Sequence, residues 1–195
     1  MAASLIAQSS PTGFGIIHGY NHVAEVYLAL WEAESILDFR QSAHWVMPIL
    51  DLAKLKNPNT EIENLKSRQR HAARGTQASE IQNLKSNAWQ ACQALHKYAR
   101  AFPMGQPRAW LWQGLYGWLS GQPTQAYRAW RKSLAMAERL AMPYEQGLAR
   151  YEIGRHLPLD DPARHVHLTR AAEIFSQINT TYNLTRTEQA LTMSY

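Results

Sequence analysis

Large apolar side chains recur at helical spacing along most of the chain, and proline or glycine stands at the breaks. The strongest pattern runs from Gln106 to Ile178. Pro107 opens a helix of bulky residues that runs to about Leu119, where Gly121 can take the left-handed conformation that closes a helix. Pro123, a favoured first helical residue, opens the next, with Ala126, Trp130, Leu134, Ala137 and Ala141 on one stripe. Pro143 starts a helix predicted to Leu157, with Arg155 and His156 suited to the negative end of its dipole. Asp161 and Pro162 read as N-cap and first-turn residue of a helix that buries Leu168, Ala172, Phe175 and Ile178. A final helix, from about Tyr182 to Thr192, carries Leu184, Glu188 and Leu191 on a thin apolar face and reads as a cap. The starts at Pro107, at Pro143 and near Thr180 are separated by 36 and 37 residues, a period of stacked helical hairpins.

The first half is less regular. Residues 1–16 are small and polar and read as a flexible arm. Residues 17–56 read as a helical hairpin. Its first helix spans about Asn21 to Phe39, with Asn21 as N-cap and Val23, Tyr27, Leu30 and Leu37 on one face. Its second carries Trp45, Ile49 and Leu52, is interrupted by Pro48 and ends at Asn57-Pro58-Asn59. Residues 57–78 hold only Ile62 and Leu65 as large apolar side chains and are expected to be a linker or a marginal exposed helix. Residues 79–195 then form the hairpin units and the cap. Ser79 is expected to open a helix to Ala101 that buries Ile81, Leu84, Ala88, Cys92, Leu95 and Tyr98.

Composition agrees with an all-α chain. Of 195 residues, 46% are hydrophobic and 18% charged, with ten glycines against seven tryptophans and almost no strand-type alternation. Cys92 is the only cysteine, which excludes an internal disulfide and suits a reducing, cytoplasmic setting. Its place between Ala88 and Leu95 makes it an inert buried thiol. No apolar run approaches the roughly 20 residues that span a bilayer, so no membrane role is expected. The net charge of +5 is spread over scattered arginines. Lys66, Arg68, Arg70, His71 and Arg74 form the one dense basic cluster, without interleaved aromatics for base stacking.

Trp110, Gly114, Ala126, Trp130, Ser133 and Leu134 are placed as in a tetratricopeptide repeat, although Gln113 and Gly117 replace that motif's leucine and tyrosine. A second unit with Gly154, Leu168 and Ala171 fits if its inter-helix loop is about two residues shorter. The chain thus resembles a tetratricopeptide-like antiparallel helical-hairpin array, an α-solenoid. Gly19-Tyr20 with the segment 23–32, the segment 98–108, and the segments 140–145 and 151–157 also resemble the C-terminal helical region of large bacterial signalling proteins. In those proteins a class III adenylate/guanylate cyclase domain and a STAND-type (AAA-like) ATPase domain precede tetratricopeptide-like helices. The resemblance implies a regulatory or scaffolding array, with ATP binding left to the parent protein. Neither a G-x-x-x-x-G-K-[ST] loop nor a cyclase's metal-binding aspartates occur in this sequence.

No catalytic, cofactor or metal residue is therefore expected. His18 and His22 share helical spacing but lack an H-E-x-x-H context, and His156, His165 and His167 read as solvated histidines. Trp110, Trp112, Tyr116 and Trp118 read first as packing between hairpins and second as a peptide surface. The tetratricopeptide resemblance implies that the first helix of each hairpin lines the concave, partner-binding face. By position this gives Arg108, Leu111, Leu115 and Trp118 from one unit and Leu148, Tyr151 and Arg155 from the next. Arg108 and Arg155 are the natural forks for a partner's carboxylate or phosphate, with simple surface salt bridging as the other reading for each. Reversing their charge is expected to weaken capture with little change in stability. The expectation is a non-catalytic scaffold for a protein segment or for other domains of a cyclase/ATPase system. A basic nucleic-acid-binding helical protein is the alternative.

Overall fold

We describe the chain from a computed structural model covering residues 16–43 and 60–192, with side chains over 22–35 and 79–192. Seven helices make up these residues: α1 Ile16–Ala43, α2 Thr60–Ala101, α3 Gln106–Leu119, α4 Pro123–Arg139, α5 Pro143–His156, α6 Pro162–Gln177 and α7 Thr181–Thr192. A 3-10 turn, Pro103–Gly105, joins α2 to α3. There is no strand among the described residues, as the sequence predicts.

Two boundaries differ from the sequence reading. Helix α1 begins at Ile16, so Asn21 lies inside it and caps nothing. Helix α2 runs unbroken from Thr60, so the predicted linker over 57–78 is mostly helix and Ser79 is an interior residue. The backbone chemistry accounts for this, because no proline lies between Pro58 and Pro103. The lone Gly75 costs about 1 kcal/mol of helix propensity, too little to break a run of helix formers. All but Ile16 of the predicted arm at 1–16, and the helix with Trp45, Pro48, Ile49 and Leu52, lie outside the described residues, and Ile16 is helical.

From α3 onward each helix packs on its successor, α1 packs on α2 and α3, and α3 also touches α5. Three junctions share one closure. Gly121, Ala141 and Asn179 have φ of 74°, 51° and 56°. In each, the left-handed residue and the next donate back into the last turn: Gly121 to Trp118 O and Gln122 to Gly117 O, Ala141 to Glu138 O and Met142 to Ala137 O, Asn179 to Ser176 O and Thr180 to Phe175 O. Only Gly121 advertises this in the sequence. Ala141, expected on the buried stripe of α4, is instead the exposed residue just past its end.

The exit from α5 is different, because Leu157 is extended (φ −68°, ψ 150°). A buried side chain does the capping there. Arg164 Nη1 donates to Gly154 O at 2.9 Å, Arg155 O at 3.1 Å and Leu157 O at 3.3 Å, and its Nη2 to Ala190 O of α7 at 3.0 Å. Asp161 caps α6 as expected, accepting from the Ala163 N–H at 2.8 Å.

One core runs through all the helices, from Leu28 and Trp31 through Cys92, Leu95 and Tyr98 to Leu111, Trp130, Leu168, Phe175 and Ala190. Burial pushes the Cys92 thiol up to about 12, so it is inert as expected. At its centre Trp130 lies against Gly114, its Nε1 donates to Leu111 O at 3.2 Å, and Ser133 Oγ donates to Pro107 O at 2.7 Å. Gly154 lies against Leu168 in a similar way, with a built Cβ 2.7 Å from Leu168 Cγ. Helix α6 buries Leu168, Ala171, Ile174 and Phe175, with Ala172 and Ile178 only half-buried. Helix α7 is rotated from its expected face: Asn183, Thr187 and Ala190 are buried and Glu188 is exposed.

Candidate functional site

At 100° per residue, α3 turns Arg108, Leu111 and Leu115 to one side and Trp110, Gln113 and Gly117 to the other. Each side borders a hollow. The first, about 260 Å³, is enclosed by α1, α3, α5 and α7. Among the residues assigned from sequence, Arg108, Leu111, Leu115, Leu148 and Arg155 line it. Tyr151 is buried beside it, under the guanidinium groups of Arg155 and Arg186 at 5.7 and 4.3 Å. Trp118 is not part of it and packs on Trp130, Tyr127 and His156 instead.

The two arginines follow the salt-bridge reading, but their pairs are largely buried rather than on the surface. Arg108 grips Glu145 through Nε–Oε2 at 2.9 Å and Nη2–Oε1 at 2.6 Å, between the rings of Trp112 and Tyr144. Burial alone would lower its pKa, but the Glu145 carboxylate overrides this and holds it above the ordinary value. Arg155 bonds Glu152 Oε2 at 2.9 Å and Glu32 Oε1 at 2.7 Å, and the two carboxylates likewise outweigh burial. Both forks are thus occupied from within. A guanidinium this far from water needs a partner in its own chain, which sequence position alone did not reveal.

The sequence reading missed the groups with capacity to spare. Arg186, half-buried, lies over the rings of Tyr151 and Tyr182 and has no ion-pair partner among the described residues. The Trp112 indole N–H is buried without an acceptor. Both residues line the first hollow. Neither carries a signature: Arg186 sits on a face that reads as polar and Trp112 in a run that reads as core.

The second hollow, about 710 Å³, lies between α2, α3 and α4, with Trp89, Trp110, Tyr116, Lys85, Arg128 and Lys132 on its walls. Of the aromatic group read as packing, Trp112 is buried, whereas Trp110 and Tyr116 border this outer hollow. The basic cluster at 66–74 belongs to the same α2 helix, and its side chains lie outside the described residues.

The histidines do not converge. His156 is no solvated histidine: it is stacked on Trp130 at 4.6 Å and packed on Trp118 at 4.4 Å. Burial first, then the Arg155 charge, push its pKa down to about 3, so the ring is neutral. His165 is exposed and His167 half-buried, its pKa lowered by burial and by Arg150. His18 lies outside the described side chains. Among the described residues no group of three or more His, Cys, Asp or Glu is arranged to hold a metal, and no helix is long and apolar enough to cross a membrane. Comparisons with protein-family models, curated proteins and solved structures returned no match.

Proposed function

We propose that the chain is a non-catalytic helical scaffold that seats a segment of another protein, or of a neighbouring domain, in the hollow between α1, α3, α5 and α7. The observation that carries this reading is that every second helix, α1, α3, α5 and α7, contributes to one concavity. A tetratricopeptide-like hairpin array does the same with the first helix of each hairpin. The recurring left-handed closures at Gly121, Ala141 and Asn179, and the glycine-to-large-residue contacts of Gly114 with Trp130 and Gly154 with Leu168, favour the same α-solenoid arrangement. A regulatory place beside a cyclase and an ATPase rests on the resemblance of the sequence segments alone, and a cytoplasmic setting on the single cysteine.

The hollow, about 260 Å³, accommodates one or two side chains rather than a folded domain. Its uncommitted groups, the Arg186 fork and the Trp112 N–H, are both donors, so the seated segment presents an acceptor, a carboxylate or a backbone carbonyl. Tyr182, 76% exposed, stands at the rim and suits a photo-crosslinking residue. Crosslinking from position 182 should mark one defined peptide of a partner, with the product lost in Arg186→Ala. An equal yield from Val166, exposed on α6, or an undiminished yield in Arg186→Ala, would overturn the reading.

A further inference from the structure

We infer that the opposite side of α3 is a binding trough for single-stranded nucleic acid. The second hollow brings Lys85 of α2 and Arg128 and Lys132 of α4 around Trp89, Trp110 and Tyr116. It continues along α2 into a further hollow of about 670 Å³ that shares Trp110, Gln113 and Lys132 and adds Arg100. From Lys85 to Arg100 the trough follows α2 for roughly 22 Å at ~1.5 Å per residue. No aspartate or glutamate lines either hollow among the described residues. That contrasts with the first hollow, where Glu32 and Glu152 face the arginines.

The aromatics decide which polyanion fits. Trp89 is 42% exposed although it packs on Tyr116 at 5.1 Å, so a large part of the residue is open to a ligand. Lys132 Nζ stands 4.4 Å from the centre of the Trp110 ring, a cation beside an aromatic as in sites where a phosphate follows a stacked base. The trough also carries Gln82, Gln113 and Gln125, whose amides both donate and accept, as base edges do. An acidic peptide would use the cations and leave the rings idle. A duplex keeps its base faces stacked internally, so it too leaves Trp89 unused. A single strand engages both the charges and the rings.

The test uses the full chain and fluorescein-labelled dT12 and rU12, followed by anisotropy at several salt concentrations. Binding should weaken with salt at a log–log slope of about −3, as ~0.7 per phosphate contact over Lys85, Arg100, Arg128 and Lys132 requires. The Arg128→Ala/Lys132→Ala double variant alters two exposed side chains and should lower that slope by about half. Trp89→Ala should weaken binding about tenfold at fixed salt while leaving the slope in place, and base stacking should quench tryptophan fluorescence in the parent but less in this variant. Circular dichroism confirms that both variants keep their helices. Arg186→Ala, on the other side of α3, should bind as the parent does. No anisotropy change at low salt would overturn the inference. So would equal binding of poly-glutamate or duplex, Trp89→Ala binding like the parent, or Arg186→Ala weakening binding as much as the double variant.

Discussion

Arg155 of α5 holds Glu32 of α1 through a 2.7 Å Nη1–Oε1 bond, joining residues 123 positions apart. The same guanidinium bonds Glu152 on its own helix, so removing it would leave two carboxylates facing each other across the first hollow. Arg155→Met should cost about 2 kcal/mol, less than a fully buried pair because Arg155 and Glu32 keep some water contact, although Glu152 is buried. Amide hydrogen exchange should rise along α1 and stay unchanged in α4. Arg155→Glu should be worse still. Charge reversal at Arg108 or Arg155 should therefore damage the fold first, where the sequence reading expects little change in stability, and Arg186 is the residue with which to probe capture.

Two glycines on one helix should respond in opposite directions to alanine. A Cβ at Gly114 would overlap Cδ1 and Nε1 of Trp130, which is fully buried and tethered to Leu111 O. Gly114→Ala should destabilise by about 2 kcal/mol despite its better helix propensity, as overpacked cores do. At Gly117 the nearest atoms, Ala126 N at 3.4 Å and Cα at 3.6 Å, are in ordinary contact. Gly117→Ala should therefore be neutral or stabilising by up to ~1 kcal/mol. Urea midpoints of the two variants measure the difference.

Acid should destabilise this protein through His156 before its carboxylates titrate. The folded state keeps the ring neutral, with its pKa lowered to about 3, while the unfolded chain takes up a proton near the ordinary histidine value of 6.5. Between those values the unfolded state holds more protons. Stability is thus fully present above pH 6.5 and falls as the pH drops, by at most ~1.4 kcal/mol per pH unit. The groups facing the ring are Arg155, Glu152, Glu32 and Arg164, of which the arginines stay charged throughout. His156→Phe should flatten the slope between pH 6 and about 4.5, read as the difference in urea midpoints from the parent.

Arg164 should be the costliest surface-reading residue to lose. Arg164→Met strips partners from the carbonyls of Gly154 and Ala190 and should destabilise by about 3 kcal/mol, as loss of charged hydrogen bonds from buried groups does. Hydrogen exchange in α7 should accelerate most.

The helix starts were legible because proline and Asp161 act within one turn: Pro107, Pro123, Pro143 and Pro162 each stand in the first turn of a helix. The side of α3 and α5 that lines the first hollow was reached through the tetratricopeptide resemblance, which by position assigned Leu111, Leu115 and Leu148 to it. Trp118 follows its packing reading and not the positional one, because it packs against α4 and a histidine of α5, contacts between helices that no single-helix pattern encodes. The state of Arg108 and Arg155 was hidden for the same reason: Glu145 and Glu32 lie 37 and 123 residues away. The continuity of α2 was obscured by its few apolar residues over 57–78, although helix formers without proline suffice there.

The chain's bends are not equally forgiving of added length. Two or three extra residues between Leu119 and Pro123 would disturb backbone bonds confined to a single bend. The same addition between Leu157 and Asp161 would drag the Arg164 fork off two helix endings together, those of α5 and α7, and the C-terminal rod would come away with it.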